Sequence, residues 1–311
     1  MPAAPGYRAT VRANRAVGTI TRGTTNPNRL RRCDRWLLGT QSARLRGGTP
    51  ERPAVVVDLG YGASPVTTLE LAARLHHGMR GSARGGGVGV VGDLSVGVKV
   101  VGLEIDPERV AHAREVLATE RRTPAGRTAP GVREPARVPV EFGFGGFEVP
   151  LPPGSRLAVV RAFNVLRQYD ESEVVSAWAT MTGRLAPDGI LIDGTCDELG
   201  RRMTWVLLDR SGPISLTISV ALPAIETPSD VAERLPKALI HRNVPGERIH
   251  ALLHDWDAAW RAAAPLASFG RRQRFVASVR SLRAAGWPVL GGPARWRLGE
   301  MSVAWEAVRP R

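Results

Sequence analysis

The chain is short of cysteine and of long apolar runs, and each shortage excludes a class of protein. Its 311 residues include two cysteines, Cys33 and Cys196, which supply neither a disulfide framework nor a zinc site. No apolar run approaches the ~20 residues that a membrane-spanning helix needs. The arginine-studded residues 1–15 lack the apolar stretch of a secretory signal. We therefore expect a cytoplasmic protein in a reducing environment, without a membrane partner.

Lysine is also scarce, and the basic residues are concentrated at the two ends of the chain. Lys99 and Lys237 are the only lysines among 43 basic residues. Residues 1–52 carry eleven arginines against two acidic residues, and residues 266–311 carry nine against two. Basic flanks of this kind can bind phosphates, as in a nucleic-acid-modifying enzyme. The preference for arginine is equally typical of biased genome composition, so both interpretations stay open.

The strongest local signal is a strand that leads into a glycine turn and then into a helix. The three valines at 55–57 predict a strand that is covered on both faces. Gly60 and Gly62 allow a turn in which a ligand can approach the backbone closely. Ser64 and Pro65 suit the cap and the first position of a helix. Free amide groups at such a helix start, above the end of a strand, predict a nucleotide-binding cradle.

The spacing of the turn distinguishes between two kinds of nucleotide. A dinucleotide fingerprint beginning at Gly60 needs a glycine at position 65, where Pro65 stands, and this disfavours NAD. The stretch instead resembles motif I of the class I S-adenosylmethionine (SAM) methyltransferases, an acidic residue two positions before a G-x-G. Asp58, Gly60 and Gly62 match that pattern, and Ser64 stands where a third small residue often lies. A structural turn in another α/β protein is the alternative.

A second match follows after a long interval. The apolar run at 100–103 ends in Glu104, and Asp106 and Pro107 then suit the start of a helix. This arrangement resembles motif II of the same family. A carboxylate at the end of this strand can accept two hydrogen bonds from a ribose diol. Glu104 is therefore the candidate ribose ligand, with a simple charge at a strand end as the alternative.

The resemblance covers residues 53–193 well and residues 270–308 loosely. It implies an α/β fold with a seven-stranded, mostly parallel, doubly wound sheet. The expected divisions are an N-terminal basic helical extension (1–52), a SAM-binding core (53–195), an inserted hairpin and helical substrate lid (196–268), and a closing helix and strands (269–311). In a rival arrangement, the hairpin at 203–222 forms the edge of the sheet itself.

Two segments outside the motifs also carry predictions. The glycine-rich stretch at 78–97 predicts a flexible loop inserted before the second strand. In the N-terminal extension, residues 7–17 and 28–38 suit short helices. In the family, a segment before motif I often caps the cofactor site or contacts substrate. The arginines that can form a phosphate-contacting face there are Arg29, Arg31, Arg32 and Arg35. A solvated helix that packs its leucines is the alternative.

The third and fourth predicted strands end in further candidates. Gly146 stands where the family usually has an acid that meets the adenine amine, and Phe147 beside it can lie against the adenine. A phenylalanine of the core is the alternative. Arg156–Phe163 and the residues after it resemble motif IV, in which a strand end lines the cavity near the transferred methyl group. Arg161 and Asn164 are the cavity candidates there, and Asn164 also suits a simple turn.

The loop after the fifth predicted strand contains two acidic residues. Asp197 or Glu198 can orient or deprotonate an acceptor, because loops at the carboxyl ends of strands often carry chemistry. Together with Asn164 they are the candidate catalytic residues, and a capping role for Asp197 is the alternative.

The resemblance implies a SAM-dependent methyltransferase with SAM as its cofactor. The candidate cofactor-binding residues are Asp58, Gly60, Tyr61, Gly62, Glu104, Ile105, Phe147, Arg161 and Asn164. The expected acceptor is a small molecule beneath the lid. RNA held by the basic flanks, and a SAM-binding protein without catalytic activity, are the alternatives. His250, His254 and Asp257 have a spacing seen in metal sites, but no fourth ligand accompanies them, so no metal site is predicted.

Overall fold

The computed structural model describes residues 16–20, 25–81, 97–122 and 138–311. One mixed sheet runs through these residues, and helices cover both of its faces. The helix expected at 7–17 lies outside the described residues except for 16 and 17, which are not helical. Most of the loop expected at 78–97 also lies outside them, and residues 78–81 are helical instead. The α/β class expected from the sequence is confirmed.

The described strands and helices alternate along the first two thirds of the chain. The strands are β1 (Ala54–Leu59), β2 (Val98–Glu104), β3 (Val140–Phe144), β4 (Arg156–Phe163), β5 (Ile190–Cys196), β6 (Arg202–Asp209), β7 (Gly212–Val220), β8 (Val289–Leu290) and β9 (Glu300–Ala304). The helices are α1 (Arg31–Thr40), α2 (Ser42–Leu45), α3 (Val66–Gly81), α4 (Pro107–Arg122), α5 (Glu171–Thr182), α6 (Lys237–Ile240), α7 (Arg248–Ala262), α8 (Arg271–Ala284) and α9 (Pro293–Trp296).

The order of the strands creates a crevice at the middle of the sheet. The order is β3-β2-β1-β4-β5-β6-β7-β9-β8, and β1 to β5 are parallel. The chain moves outward from β1 through β2 to β3, and then returns to the other side of β1 to form β4. In open α/β sheets, ligands bind at the carboxyl ends of the strands beside such a reversal. The expected site is therefore the crevice above β1 and β4.

The valines of β1 are buried on both sides of the sheet, as their sequence predicted. Val57 pairs with Val101 of β2 and Val160 of β4, and all three belong to the core beneath α5 to α8. Val56 points to the opposite core, beneath α1 to α4. Because both faces of β1 are covered, each of its side chains has an apolar neighbour or a specific polar partner. A strand that is buried on both faces is typically a run of β-branched residues, as β1 is.

Two features of the sheet differ from the sequence prediction. The described residues form nine strands rather than seven, and β6 to β9 are antiparallel to their neighbours. The hairpin of β6 and β7 lies inside this sheet, so its assignment to a substrate lid was wrong. Its side chains explain the position: Trp205 packs against Trp36 in one core, while Val206 lies in the other. A strand that is apolar on both faces needs cover on both.

The helical remainder of the expected lid also packs against the sheet. Leu252, Trp256 and Trp260 of α7 join the core beneath the sheet, and the Trp256 ring lies 5.6 Å from that of Phe275 in α8. Asp257 accepts a hydrogen bond from the Ser229 amide at 2.9 Å. Among the described residues, no group of three or more His, Cys, Asp or Glu side chains is arranged to hold a metal ion. None of the helices in the described ranges is long and apolar enough to span a bilayer.

Asp193 is an acidic residue inside the apolar core. It lies on β5 beside Ala162 and Val206 and is 2% exposed. Its carboxylate accepts one hydrogen bond, from the indole of Trp178 at 3.0 Å. Burial raises the pKa of Asp193 from 3.8 to about 7, although the Trp178 hydrogen bond opposes the shift. At pH values between 3.8 and about 7, the folded protein therefore holds a proton at this site that the unfolded chain releases.

This difference makes stability depend on pH. Between the unfolded pKa and the folded pKa, the native state binds the extra proton, so stability falls as pH rises. For Asp193→Asn, we expect the free energy of unfolding relative to wild type to rise by ~3 kcal/mol between about pH 5 and pH 8. Urea titrations followed by tryptophan fluorescence measure this difference. An identical difference at both pH values contradicts the prediction.

Candidate functional site

A cleft opens at the carboxyl ends of β1, β2 and β4 and has two sides that meet at Leu59 and Gly60. The side towards β4, here the β4 side, is lined by residues that include Gly62, Thr67 and Asn164. The side towards β2, here the β2 side, lies between Glu104 and the loop after β3. The cleft therefore occupies the crevice that the strand order creates.

The glycine turn forms the floor where the two sides meet. Gly60 has φ of 67° and Gly62 has φ of 83°, both in the left-handed region that favours glycine. The Gly60 amide donates to the Leu103 carbonyl at 2.8 Å, which ties the turn to β2. Ser64 Oγ accepts from the Val66 amide at 3.4 Å, at the start of α3. The structure thus has the strand, turn and helix that the sequence pattern predicted.

Glu104 lies directly beside this turn, although the two are far apart in the sequence. Its side chain is 1% exposed, and Oε2 accepts from the Gly62 amide at 3.0 Å. Oε1 accepts from the Ile105 amide at 2.9 Å, and Arg109 Nη1 lies 3.7 Å from Oε2. A carboxylate has about four acceptor positions. Glu104 is therefore held in a fixed orientation beside the turn, with one amide bonded to each of its oxygens.

A short N-terminal segment, residues 16–20, crosses the β2 side and is called the strap here. The Phe147 amide donates to the Val17 carbonyl at 2.9 Å, and the Val17 amide donates to Glu148 Oε2 at 2.8 Å. Gln168 Nε2 donates to the Thr19 carbonyl at 2.9 Å. With the strap in this position, the β2 side has a cavity volume of about 10 Å³. A ligand of nucleoside size therefore requires the strap to move outward.

The strap passes so close to Gly146 that a side chain does not fit there. A Cβ atom at Gly146 would lie 2.0 Å from the Val17 carbonyl oxygen, so only glycine permits this approach. Phe147 is buried, packs against the Tyr169 ring at 5.2 Å and also lines the β2 side. Phe147 is therefore a residue of the core, as one of its two interpretations held, and it also lines the cleft. Its contact with an adenine stays a prediction.

A buried ionic network lies beneath the turn. The Arg161 side chain is 0% exposed, and its Nε and Nη2 donate to the two carboxylate oxygens of Asp58 at 2.9 and 2.8 Å. Its Nη1 binds Asp34 of α1, and Nη2 also donates to the Thr67 carbonyl of α3 at 3.1 Å. Burial alone lowers the pKa of Arg161, but Asp58 and Asp34 outweigh it and raise the pKa.

This network corrects the expectation that Arg161 lines the cavity. Its guanidinium lies below the turn and is bonded to the two carboxylates, and Arg161 is not among the residues that line the cleft. Asp58 lines the β4 side, yet its Oδ2 also accepts from Thr68 Oγ1 at 2.7 Å. Both residues therefore shape the turn from beneath.

The remaining candidates divide between the cleft and its surroundings. Asn164 lines the β4 side with φ of 60°, and its Oδ1 accepts from the Cys196 amide at 3.0 Å. The Asp197 carboxylate accepts from the Arg201 and Arg202 amides at 2.8 and 2.9 Å, and so shapes its own loop. Asp197 and the exposed Glu198 do not line either side of the cleft.

Two residues of the cleft, Thr25 and Tyr169, were not among the candidates named from the sequence. Thr25 lies on the β4 side, and its hydroxyl donates to the Tyr61 carbonyl at 2.9 Å. The Tyr61 ring itself packs against Phe142 at 5.3 Å, and burial raises its pKa. Tyr169 lines the β2 side. In the sequence, the place of Tyr169 shortly after β4 was the only signal that it could reach the cleft. No motif or spacing pointed to Thr25.

Comparisons with known proteins gave matches of structure alone. No protein-family model matches the sequence, and no curated protein matches it. Similar solved structures include magnesium protoporphyrin IX methyltransferase from Synechocystis PCC 6803 with bound SAH, at 14% identity over 54% of each chain and a TM-score of 0.33. The CcbJ methyltransferase from Streptomyces caelestis matches at 15% identity over 62% of this chain and 66% of that chain, with a TM-score of 0.32.

A third similar structure is the glycopeptide N-methyltransferase MtfA, at 16% identity over 52% of this chain and 53% of that chain, with a TM-score of 0.31. This chain thus spans about half the length of the first and third proteins. At these identities and TM-scores the likeness assigns no activity to the chain. Its function has to be inferred from the geometry of its own cleft.

The ionic network predicts a large effect of removing its cation. In Arg161→Met, the buried Asp58 loses its cationic partner and Asp34 keeps only its ion pair with Arg74. We expect the free energy of unfolding to fall by ~3–5 kcal/mol. Arg156→Met on the same strand is the matched control. Arg156 pairs with the half-exposed Asp188 at 2.6 Å, so its loss should cost about 1 kcal/mol or less. Urea denaturation of both variants measures the difference, and equal losses contradict the prediction.

Proposed function

We propose that this chain is a class I methyltransferase that uses SAM and transfers its methyl group to a small-molecule acceptor. One observation carries the proposal: the Glu104 carboxylate lies 3.0 Å from the Gly62 amide, at the reversal point of the sheet. A carboxylate that can accept a diol and a glycine turn that a ligand can approach closely are thereby combined in one cleft. This combination suits an adenosine attached to a second polar group.

The residues of the cleft match the separate parts of SAM. Glu104 has the acceptor capacity for the ribose hydroxyls, and Ile105 and Phe147 supply apolar surface for an adenine on the β2 side. At Gly60 and Gly62 the turn has positive φ angles that favour glycine, so no side chain stands at these two positions and a ligand can approach the backbone closely. When bound, SAM supplies an electrophilic methyl group on a sulfonium. We expect the strap to cover the adenosine after it enters.

The chain's contribution to methyl transfer is mainly orientation. Holding an acceptor atom in line with the methyl group can supply up to ~10 kcal/mol of the barrier reduction. Asn164 remains the candidate residue nearest to that chemistry, because it is fixed at the end of β4 and lines the cleft. Asp197 is a poor candidate for a general base, since loop amides already occupy its carboxylate. A base is needed only where the acceptor carries a proton.

RNA is the second candidate acceptor, and one observation favours it. The two basic flanks meet in the folded chain: Arg32 Nη1 donates to the Leu298 carbonyl at 3.0 Å, and α1 lies beside Arg295 at Gly39. Arg31 and Arg35 of α1 are exposed on this surface. Other arginines of the C-terminal flank pack against side chains of the protein itself instead. Two of them stack on tryptophans, namely Arg274 on Trp260 at 4.1 Å and Arg283 on Trp296 at 4.6 Å.

Substitution of the central glycine tests the proposed cofactor site. Gly60→Arg places a long side chain at the point where the two sides of the cleft meet, so we expect binding of SAM and of S-adenosylhomocysteine (SAH) to be lost. Gly286→Arg is the matched control, because Gly286 has φ of 93° and open space around it, at the β8 end of the sheet. Both variants should fold, with a similar cost of backbone strain.

Calorimetry with SAM, SAH and NAD measures these affinities side by side. Wild type and Gly286→Arg should bind SAM and SAH but not NAD, and Gly60→Arg should bind none of them. If Gly60→Arg binds SAM with unchanged affinity, the proposed cofactor site is wrong. Incubation with methyl-labelled SAM and cell extract then separates an enzyme from a SAM-binding protein without catalytic activity.

The RNA alternative makes a separate prediction about salt. If the surface at α1 binds RNA backbone, the affinity for RNA should fall steeply as the salt concentration rises. The reason is that each phosphate contact releases roughly one counterion. The double variant Arg31→Gln, Arg35→Gln should weaken binding and flatten that dependence. Arg272→Gln with Arg280→Gln, two exposed arginines of α8, is the matched control. Filter binding at several salt concentrations measures the slopes, and weak binding that is insensitive to salt removes this alternative.

A further inference from the structure

Two arginines from distant segments meet at the edge of the sheet where the cleft opens. Arg167 lies in the helical turn that follows β4, shortly after Asn164 of the cleft. Arg234 is the last residue of the helical segment Pro228–Arg234, which follows β7. Arg167 Nη1 donates to the Glu233 carbonyl at 2.7 Å, so its guanidinium lies beside the backbone of Arg234. Arg167 and Arg234 are called the arginine pair here.

The charge of the arginine pair is not balanced by carboxylates in the way that a neighbouring arginine is. Arg202 contacts the same helical segment through the Asp230 carbonyl at 3.3 Å, and it also pairs with Asp197 at 3.8 Å. Among the residues that the structure describes, neither Arg167 nor Arg234 forms an ion pair. Adjacent positive charges repel each other unless an anion lies close to both. The pair therefore favours a negatively charged ligand.

The surroundings of the two guanidinium groups point to the same conclusion. Arg234 Nε is buried, and it has no hydrogen-bond partner in the described part of the chain. A buried donor without an acceptor costs free energy, more so when its group is charged. Burial and then the positive charge of Arg234 lower the pKa of Arg167, and the nearby Glu233 carboxylate only partly opposes them. An anion that accepts hydrogen bonds from both guanidinium groups would relieve both costs.

The arginine pair lies at the rim of the cleft and outside the proposed cofactor site. Neither arginine is among the residues that line the two sides of the cleft. Arg167 nevertheless stands in the sequence between Val165 and Tyr169, which line the β2 side. Cys196 of β5, whose amide is bonded to the Asn164 side chain, is close enough to affect the pKa of Arg167. A group bound by the pair would therefore belong to the acceptor rather than to the cofactor.

We propose that Arg167 and Arg234 bind an anionic group of the acceptor, a carboxylate or a phosphate, at the rim of the cleft. This inference rests on the proposed function and identifies the acceptor as an acidic small molecule. The anionic group is separate from the atom that receives the methyl group, because it is held outside the cleft. Guanidinium groups suit this task, since their planar donors can bind one carboxylate or phosphate through two hydrogen bonds.

The experiment uses protein saturated with SAH and three small probes of one shape. Benzoate carries a carboxylate, phenyl phosphate carries a phosphate, and benzamide is a neutral counterpart of benzoate. Ligand-observed NMR titrations measure the affinity of each probe. We expect wild type to bind at least one of the two anions ~10-fold more tightly than benzamide, as for hydrogen bonds to a charged group. The anion that binds more tightly distinguishes a carboxylate from a phosphate.

Substitutions then show whether the arginine pair is the binding site. Arg167→Gln and Arg234→Gln should each weaken binding of the preferred anion ~10-fold and leave the affinities for benzamide and SAH unchanged. Arg234→Gln is the cleaner variant, because it keeps the hydrogen bond from Arg167 to the Glu233 carbonyl. Arg184→Gln is the matched control. Arg184 is exposed and lies between α5 and β5, at the opposite edge of the sheet, so all affinities should match those of wild type.

Three results would contradict the proposal. Wild type with bound SAH could bind the two anions no more tightly than benzamide. Both glutamine variants could bind the preferred anion as wild type does, which would place the anion elsewhere. They could also weaken binding of SAH, benzamide and the anion equally, which would give the two arginines a purely structural role. Failure of wild type to bind SAH is a different result, because it refutes the proposed function itself.

Discussion

One buried cation connects the parts of the chain that form the cleft. Arg161 of β4 binds Asp58 of β1, Asp34 of α1 and a carbonyl of α3. Removing such a charge from water is costly, and the two carboxylates and the carbonyl offset that cost only in one geometry. The network therefore specifies how the N-terminal helix, the glycine turn and the fourth strand are arranged relative to one another.

The properties of the cleft follow from that arrangement. Because Asp34 anchors α1 beneath the turn, the residues just before α1 are brought to the edge of the cleft, and Arg29 is among them. On the opposite side, β2 brings Glu104 to the same turn. A negative and a positive side chain thus lie on the two sides of one glycine turn, and the strap covers the negative side.

Predictions from local pattern agreed with the structure where neighbouring residues determine the conformation. The bounds of β4 were predicted without error, and the glycine turn before α3 was also found. The hairpin of β6 and β7 was wrongly assigned to a lid, because alternating apolar residues predict a hairpin but not its partner. Arg161 was placed in the cavity because β4 and the residues after it resemble motif IV, whose strand end lines the cavity near the transferred methyl group. Its partner Asp34 lies on a helix that no motif connects to β4.

The amino-acid sequence was sufficient to identify the strand and turn at 55–62 and the acidic residue that ends β2. These features depend on steric preferences and hydrophobic periodicity within short windows. Tertiary structure alone decided that Glu104 contacts Gly62, that Arg161 is enclosed by two carboxylates, and that the strap and Arg29 border the cleft. Each of these is a contact between distant segments. Such contacts depend on the packing of the whole sheet and its helices, which short-range patterns do not encode.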